Sequence, residues 1–155
     1  MRTQAWDISV HSVYCHEFDI LHRPREWVTS QQHVWMLATE GCGICYRRGR
    51  EGEPMPVGPA GAALHYLAPG SWRFVDVCGA GALHLVTLRL RLADDSGRDL
   101  LANYLLPERF SPGQERRLSA WMHGILAVFE RDTLAARAEV QRQLGAFLGV
   151  ILELS

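Results

Sequence analysis

Lysine is absent from the sequence, and all 16 of its basic side chains are arginines. This absence excludes Schiff-base chemistry and general-base catalysis by a lysine amine. Cysteine is also scarce, with 4 residues in 155, so a packed core rather than a disulfide framework must hold the fold. No apolar run approaches the roughly 18 to 20 residues of a membrane span, and residues 1–4 lack the charged-then-apolar pattern of a signal peptide. We therefore expect a cytoplasmic protein with no membrane partner.

The sequence also lacks an excess of positive charge. Its formal net charge is -1, and acidic and basic residues are interspersed along the chain. Such a chain has no strong positive field that would attract a phosphate backbone, so we do not expect this chain alone to bind nucleic acid. With 48% hydrophobic and 21% charged residues in 155, the composition is typical of one globular domain with its own core.

The first 93 residues have the pattern of β-strands joined by turns. Short runs rich in Val, Trp, Tyr and Leu alternate with Gly and Pro. A hairpin is predicted from a strand at 33–46 that returns near Val57, and Pro69-Gly70 predicts a tight turn. The strongest strand covers residues 83–92, where strict alternation places the even-numbered residues on the face that points inward.

The remaining residues change to a helical period. An amphipathic helix is predicted at 98–105, and a second helix is predicted to begin at Ser111, followed by Pro112 and Gln114 as in a capping box. Asp132 is predicted to cap the last helix. The apolar stripe of the helix after Ser111 comprises Leu118, Trp121, Met122, Ile125, Leu126 and Phe129.

The last helix has an apolar seam that is wider than is needed to cover the β region alone. A seam of this width predicts a helix that also pairs with a second copy of the chain. We therefore assign homodimerisation to Val140, Leu144, Phe147 and Ile151.

Short turn motifs between Trp35 and Phe74 are similar to those of a known family. They are the Glu40-Gly41 pair that ends a strand, the turn at 59–61 before a hydrophobic strand, and the Pro69-Gly70 turn after it. Together with the long strand at 83–92, a Leu-Leu…Leu-Pro segment and two terminal helices, they resemble the N-terminal effector-binding domain of AraC-type transcriptional regulators. That family is a branch of the cupin superfamily.

The resemblance implies a mainly β fold with C-terminal helices. The expected architecture is a cupin-like double-stranded β-helix (jelly-roll) barrel over about 1–93, followed by a two-helix dimerisation element over about 97–154, all in one domain. In that family the barrel binds a small effector, the helices pair two protomers, and a separate C-terminal domain contacts DNA. No such DNA-binding domain is present in residues 1–155, so we expect either a sensor domain excised from a transcription regulator, which we favour, or a natural stand-alone relative.

A small barrel could line its pocket with the aromatic residues of the strands. Trp27 and the aromatic members of the set below offer stacking faces for a flat ligand, and Arg73 could clamp a carboxylate or phosphate. Ordinary core packing is the alternative role for each of them. The predicted ligand-binding residues are Trp35, His65, Tyr66, Trp72, Arg73 and His84.

Catalytic and metal-binding patterns are weak in this sequence. Relative to metal-binding cupins, Val34 occupies the glutamate position and Arg73 the third histidine position, so two ligands are missing. No nucleophile-and-base pattern is visible, and the Cys42 and Cys45 pair has no second pair to complete a zinc site. We expect neither a metal nor another cofactor, and no enzyme activity. The alternative is a stand-alone cupin enzyme with a degenerate metal site built from His33, His65 and His84.

Overall fold

A computed structural model of the chain describes most of its backbone and, toward the C-terminal end, its side chains as well. The backbone is described for residues 7–19, 27–29, 31–48, 55–57, 64–70 and 72–155, and the side chains for residues 31–38, 64–70 and 86–155. Neither helix in this part of the chain is long and apolar enough to cross a membrane.

The strands form one antiparallel sheet, and two helices follow it. The long strand β6 pairs with β1 on one side and with β3 on the other, while the short strand β2 pairs with the beginning of β6. Strands β4 and β5 pair with different parts of β3. The elements are β1 Asp7–Asp19, β2 Trp27–Thr29, β3 His33–Arg48, β4 Met55–Val57, β5 Leu64–Leu67, β6 Trp72–Ala93, α1 Pro112–Phe129 and α2 Leu134–Glu153.

This architecture confirms the coarse prediction of an antiparallel β region followed by C-terminal helices. The predicted hairpin is present as β3 and β4, with Ile44 opposite Val57. The predicted turn at Pro69-Gly70 is also present, and Gly70 adopts the left-handed φ of 73° that favours glycine. The predicted turn at 59–61 lies outside the described residues. No strand pair that would close the sheet is among the pairs described, so the barrel stays a prediction.

Three irregularities interrupt the register of the strands on either side of β6. In β1 the register shifts between Val10 and Ser12, and in β3 it shifts between Ala38 and Glu40 and again between Gly41 and Gly43. A bulge inserts one extra residue in one strand and bends that strand. Each of these shifts therefore changes which residue of β1 or β3 lies opposite a given residue of β6.

The core lies between one face of the sheet and the two helices. As predicted, the even-numbered residues of β6 from Val86 to Leu92 are buried there. On the opposite face Thr87 is only 3% exposed and its neighbours Val34 and Met36 are also buried, whereas Arg91 is exposed. The helices contribute to the core Leu118, Met122, Ile125, Val140, Leu144, Phe147, Leu148, Val150 and Ile151.

The segment predicted as a helix at 98–105 is instead a series of turns. Gly97 takes a left-handed φ of 81°, and the Leu100 amide donates to the Leu92 carbonyl at 3.0 Å, which ties the segment to the end of β6. The Asp99 carboxylate accepts from the Leu101 amide at 3.0 Å. These hydrogen bonds use backbone amides that would otherwise lie in the first turn of a helix. Only one short turn therefore forms before Pro107.

Both helices begin with side-chain caps. Ser111 caps α1 as predicted: its hydroxyl accepts from the Gln114 amide, and the Gln114 side chain accepts from the Ser111 amide at 2.7 Å. The cap of α2 is Thr133, whose hydroxyl accepts from the Ala136 amide at 3.1 Å. The prediction of Asp132 as that cap was wrong, because its carboxylate is paired with Arg137.

The apolar seam of α2 is in the interior of the single chain. Leu144, Phe147 and Ile151 are 0% exposed, and Val140 is 6% exposed. They pack on the sheet and on α1, so they are not available to a second copy unless the core opens. Homodimerisation stays a prediction, but its surface must lie elsewhere than on these four side chains.

The two helices approach closely at Gly124. A Cβ at this position would overlap the side-chain oxygen of Gln143, a buried residue of α2. This oxygen is the far end of a flexible side chain and can move aside, so Gly124→Ala should lose only part of the helix-propensity gain of about 1 kcal/mol and be less stable than an alanine placed in open space. Urea denaturation of the purified variants will measure this difference.

A matched control is available on α2. Gly145 has open space where its Cβ would be, so Gly145→Ala should raise stability by about 0.5 to 1 kcal/mol through helix propensity. A Gly124→Ala variant as stable as Gly145→Ala would show that the helices do not meet at Gly124.

Candidate functional site

The structure brings together two of the predicted ligand-binding residues and separates a third. Trp35 of β3 lies opposite Tyr66 of β5, so they share one face of the sheet. His65 is the next residue along β5 and lies opposite Met36, which places it on the other face.

The other three predicted ligand-binding residues are in the part of β6 before Val86, where only the backbone is described. Trp72 is at the first position of the strand, opposite Thr29, and Arg73 is opposite Val28. His84 is opposite Glu40 in the half of β6 that leads toward the helices. Their side chains lie outside the described residues, as does the side chain of Trp27.

An aromatic cluster connects the sheet to α2. The rings of Trp35 and Tyr66 lie 4.9 Å apart, and the ring of Phe147 meets Trp35 edge-on at 5.2 Å. Trp35 is 0% exposed, and its indole N–H has no hydrogen-bond partner among the described atoms. The Trp35 side chain therefore connects β3 with the last helix by direct contact.

A hydrogen-bonded chain of three polar side chains borders this cluster. The Nδ1 atom of His33 lies 2.8 Å from the Tyr66 hydroxyl, and its Nε2 atom lies 3.0 Å from both carboxylate oxygens of Asp99. An ionised carboxylate only accepts, so we assign the Nε2 proton to the bond with Asp99. In the neutral imidazole Nδ1 then accepts a hydrogen bond that the Tyr66 hydroxyl donates.

Sequence reasoning did not find this arrangement. The sequence favoured a polar lining or hydrogen-bonded core role for His33 over a metal-binding one, but it indicated neither of its partners, and Asp99 was not singled out. Nothing in the sequence signals that the two meet, because Asp99 reaches His33 only when the turns after β6 fold back and pair Asp99 with Ala93. The result is a hydrogen-bonded connection between β5 and the segment that leads into α1.

The network gives a prediction about Asp99. Asp99→Ala leaves the buried His33 without its acceptor, so the free energy of unfolding should fall by about 2 kcal/mol, as for hydrogen bonds to charged groups. Asp95→Ala, at an exposed position of the same segment, should change it by less than about 0.5 kcal/mol. Chemical denaturation of both variants checks this difference, and equal effects would contradict a structural role for the bond.

His65 has a different electrostatic environment. It is 1% exposed, and its backbone pairs with that of Arg109 in the segment before α1. Burial, and to a smaller extent the positive charge of Arg109, lower the pKa of His65 to about 4. At neutral pH the side chain is therefore an uncharged imidazole inside the protein.

The alternative metal site of three histidines does not assemble. His33 shares a face with Trp35, whereas His65 is on the opposite face of the sheet. His33 is opposite Leu90, and His84 lies six residues back along β6, which is about 20 Å at 3.3 Å per residue. Among the side chains that the structure describes, no group of three metal-ligating residues lies together.

A surface groove lies at the turn between the two helices. Its volume is about 290 Å³, and its lining residue Val140 lies about two helical turns before Phe147 of the aromatic cluster. Phe129 and Val140 form its apolar part, and the exposed Arg131 and the ion pair of Arg137 with Asp132 form its polar part. None of the predicted ligand-binding residues lines this groove.

Comparison with known proteins does not assign a family. No protein-family model matches the sequence, and no curated protein matches it. One structural similarity is to Streptomyces albus HEPD with its substrate 2-hydroxyethylphosphonate and Fe(II) bound, at a TM-score of 0.35 and 11% sequence identity. The alignment covers 97% of this chain and 42% of that protein, so the chain spans less than half of its length. We draw no inference about function from this similarity.

Proposed function

We propose that this chain is the effector-binding and dimerisation domain of an AraC-type transcriptional regulator. In this proposal the sheet closes into a cupin-like barrel, and a small organic molecule binds inside it. A separate domain would contact DNA, and this domain would act in the cytoplasm without catalysing a reaction.

The observation that carries the proposal is the connection between the predicted pocket residues and the helices. Tyr66 contacts Trp35, and Trp35 contacts Phe147 of α2. Tyr66 is also hydrogen-bonded to His33, which reaches Asp99 in the segment before α1. A ligand that displaces β3 or β5 therefore changes the packing of both helices.

Such a domain would act by shifting the populations of two arrangements. A ligand shifts an equilibrium only by as much as its affinity differs between the two states. Packed aromatic rings and a three-residue hydrogen-bonded chain have discrete arrangements, so they support two states rather than a continuous deformation. Binding in the pocket would then change how the helices pack, and this change would alter their contact with a second protomer.

A ligand screen tests the proposal. The purified chain is heated with a few hundred metabolites, since a ligand that binds the folded state raises the apparent Tm by mass action. We expect hits among aromatic or carboxylated molecules, and we expect them to be lost in Arg73→Ala and Trp72→Ala. Quenching of tryptophan fluorescence gives a second measurement of the same binding.

Arg131→Ala is the matched control, because Arg131 is an exposed arginine in the groove between the helices. The same ligands should raise the Tm of Arg131→Ala and of the original chain. Ligands that are lost only in Arg131→Ala would place binding in the groove and contradict an effector site in the sheet. A screen without any hit would contradict the effector hypothesis as well.

A further inference from the structure

The sheet has a second buried face that the helices do not cover. Along each strand, residues that point toward the helices alternate with residues that point away from them. Of the latter, Val34, Met36 and Leu67 are at most 6% exposed, although none of them is a member of the core cluster that contains the helix residues. A part of the chain other than α1 and α2 therefore covers this face. We call it the second face, and the residues of it that matter below are Val34, Met36, His65, Thr87 and Arg89.

Two rows of residues cross the second face on adjacent strands. In one row Met36 lies opposite His65 on one side and opposite Thr87 on the other. In the next row Val34 lies opposite Arg89. Side chains that lie directly opposite each other share a face, with Cβ atoms about 4.5 to 5.5 Å apart. The second face therefore has an apolar middle on β3, an imidazole on β5, and a hydroxyl and a guanidinium on β6.

Exposure to solvent increases along the β6 side of the second face. Thr87 is 3% exposed, Arg89 is half-buried with its Nε atom inside the protein, and Arg91 is exposed. The face thus extends from the interior to the surface within five residues of one strand. A molecule that enters along β6 from the surface reaches the guanidinium of Arg89 before the hydroxyl of Thr87.

The charges near the second face are positive. In the parts of the three strands whose side chains are described, 33–38, 64–67 and 86–93, the charged residues are arginines. Arg109 adds a positive charge near His65, and burial together with this charge keeps the imidazole neutral by lowering its pKa to about 4. A guanidinium donates two parallel hydrogen bonds to a carboxylate, and a neutral imidazole or a hydroxyl can both donate and accept. These groups suit a ligand with one carboxylate, a short apolar body and a further polar group.

We propose that the second face binds a small organic carboxylate, whose carboxylate group contacts Arg89 and whose apolar body lies on Val34 and Met36. A polar group at the other end of the ligand hydrogen-bonds to Thr87 or His65. This inference rests on the proposed effector-binding function and names the class of the effector. Strands β3 and β5 then contact the ligand on one face and the helices on the other, so a ligand that displaces them also changes the packing of the helices.

Matched pairs of acids and amides test the proposal. The probes are 4-hydroxyphenylacetate and 6-hydroxyhexanoate, each with its primary amide, which has nearly the same shape and no charge. Isothermal titration calorimetry on the full chain should give a Kd below about 1 mM for at least one acid, and its amide should bind about 10-fold more weakly, as expected for hydrogen bonds to a charged group. Arg89→Met should weaken binding of the acid about 10-fold and leave the amide unchanged. Arg117→Met, which replaces an exposed arginine of α1, should change neither.

Methionine methyl signals report where the acid binds. In protein labelled with methyl-¹³C methionine, the NMR signal of Met36 should shift on binding, and that of Met122 should shift less, because Met122 lies in the core beside the helices. Met36→Leu and Met122→Leu identify the two signals. Far-UV circular dichroism and the Tm without ligand will verify that each variant folds.

The proposal is overturned if an amide binds as tightly as its acid, if folded Arg89→Met keeps the original affinity for the acid, or if the signal of Met122 shifts more than that of Met36. It is also overturned if neither acid binds at about 10 mM. In that case, uncharged ligands found in the metabolite screen would preserve the effector-binding function without the carboxylate site, whereas a screen without any ligand would contradict both.

Discussion

Phe147→Ala is expected to lower the free energy of unfolding of the single chain by about 3 to 5 kcal/mol, the usual cost of truncating a fully buried phenylalanine. Phe147 is 0% exposed and meets the ring of Trp35 edge-on at 5.2 Å. The truncation removes this aromatic contact and leaves a cavity between α2 and the sheet. Urea denaturation at several protein concentrations will measure the loss.

The same experiment decides between the core and a dimer contact as the role of Phe147. A core residue lowers stability equally at every protein concentration, whereas a residue at a dimer contact makes the loss concentration-dependent. Leu134→Ala is the control on the same helix, because Leu134 is 85% exposed and should change stability by less than about 0.5 kcal/mol. If the Phe147→Ala protein is stable and monomeric, Phe147 is part of the dimer contact that the sequence predicted and not of the core.

Acid is expected to destabilise the protein through His65. Burial lowers the pKa of His65 from 6.5 to about 4, so between these values the unfolded chain binds a proton that the folded chain does not. The free energy of unfolding therefore falls as the pH falls from 6.5 to 4, by about 3 kcal/mol at about 1.4 kcal/mol per pKa unit. Above pH 6.5 this contribution is constant, because the imidazole is neutral in both states.

Comparison of two variants isolates this effect from the titration of the carboxylates. His65→Leu should reduce the loss of stability between pH 7.5 and pH 4 by about 3 kcal/mol relative to the original chain. His123→Ala replaces an exposed histidine and should leave the pH dependence unchanged. Denaturation curves at four or five pH values will suffice, and parallel curves for His65→Leu and the original chain would refute a neutral, buried His65.

The local features of the helices were predictable because they depend on neighbours in sequence. A capping box needs only Ser111 and Gln114 three residues apart, and an apolar stripe needs only the period of 3.6 residues. The alternation in β6 likewise predicted the buried face of Val86 to Leu92. The segment at 98–105 was mispredicted because its turns are fixed by a bond from Leu100 back to β6, which no local pattern indicates.

The site was less predictable than the fold for a related reason. Trp35 and Tyr66 were chosen for their residue types, and their pairing across two strands could not be derived from that choice. His65 was placed with them although it lies on the other face, because the faces of two strands can be compared only when their register is known.

The sequence by itself determined that a β region precedes two C-terminal helices, where α1 starts and which faces of β6 and of the helices are apolar, since these follow from short-range periodicity and capping. Only the tertiary structure decided which residues meet across strands. It buried the seam of α2 in its own chain, joined His33 to Asp99 and placed Trp35 opposite Tyr66. These contacts join residues far apart in sequence, and they depend on register, which a one-residue insertion changes without altering the composition of either strand.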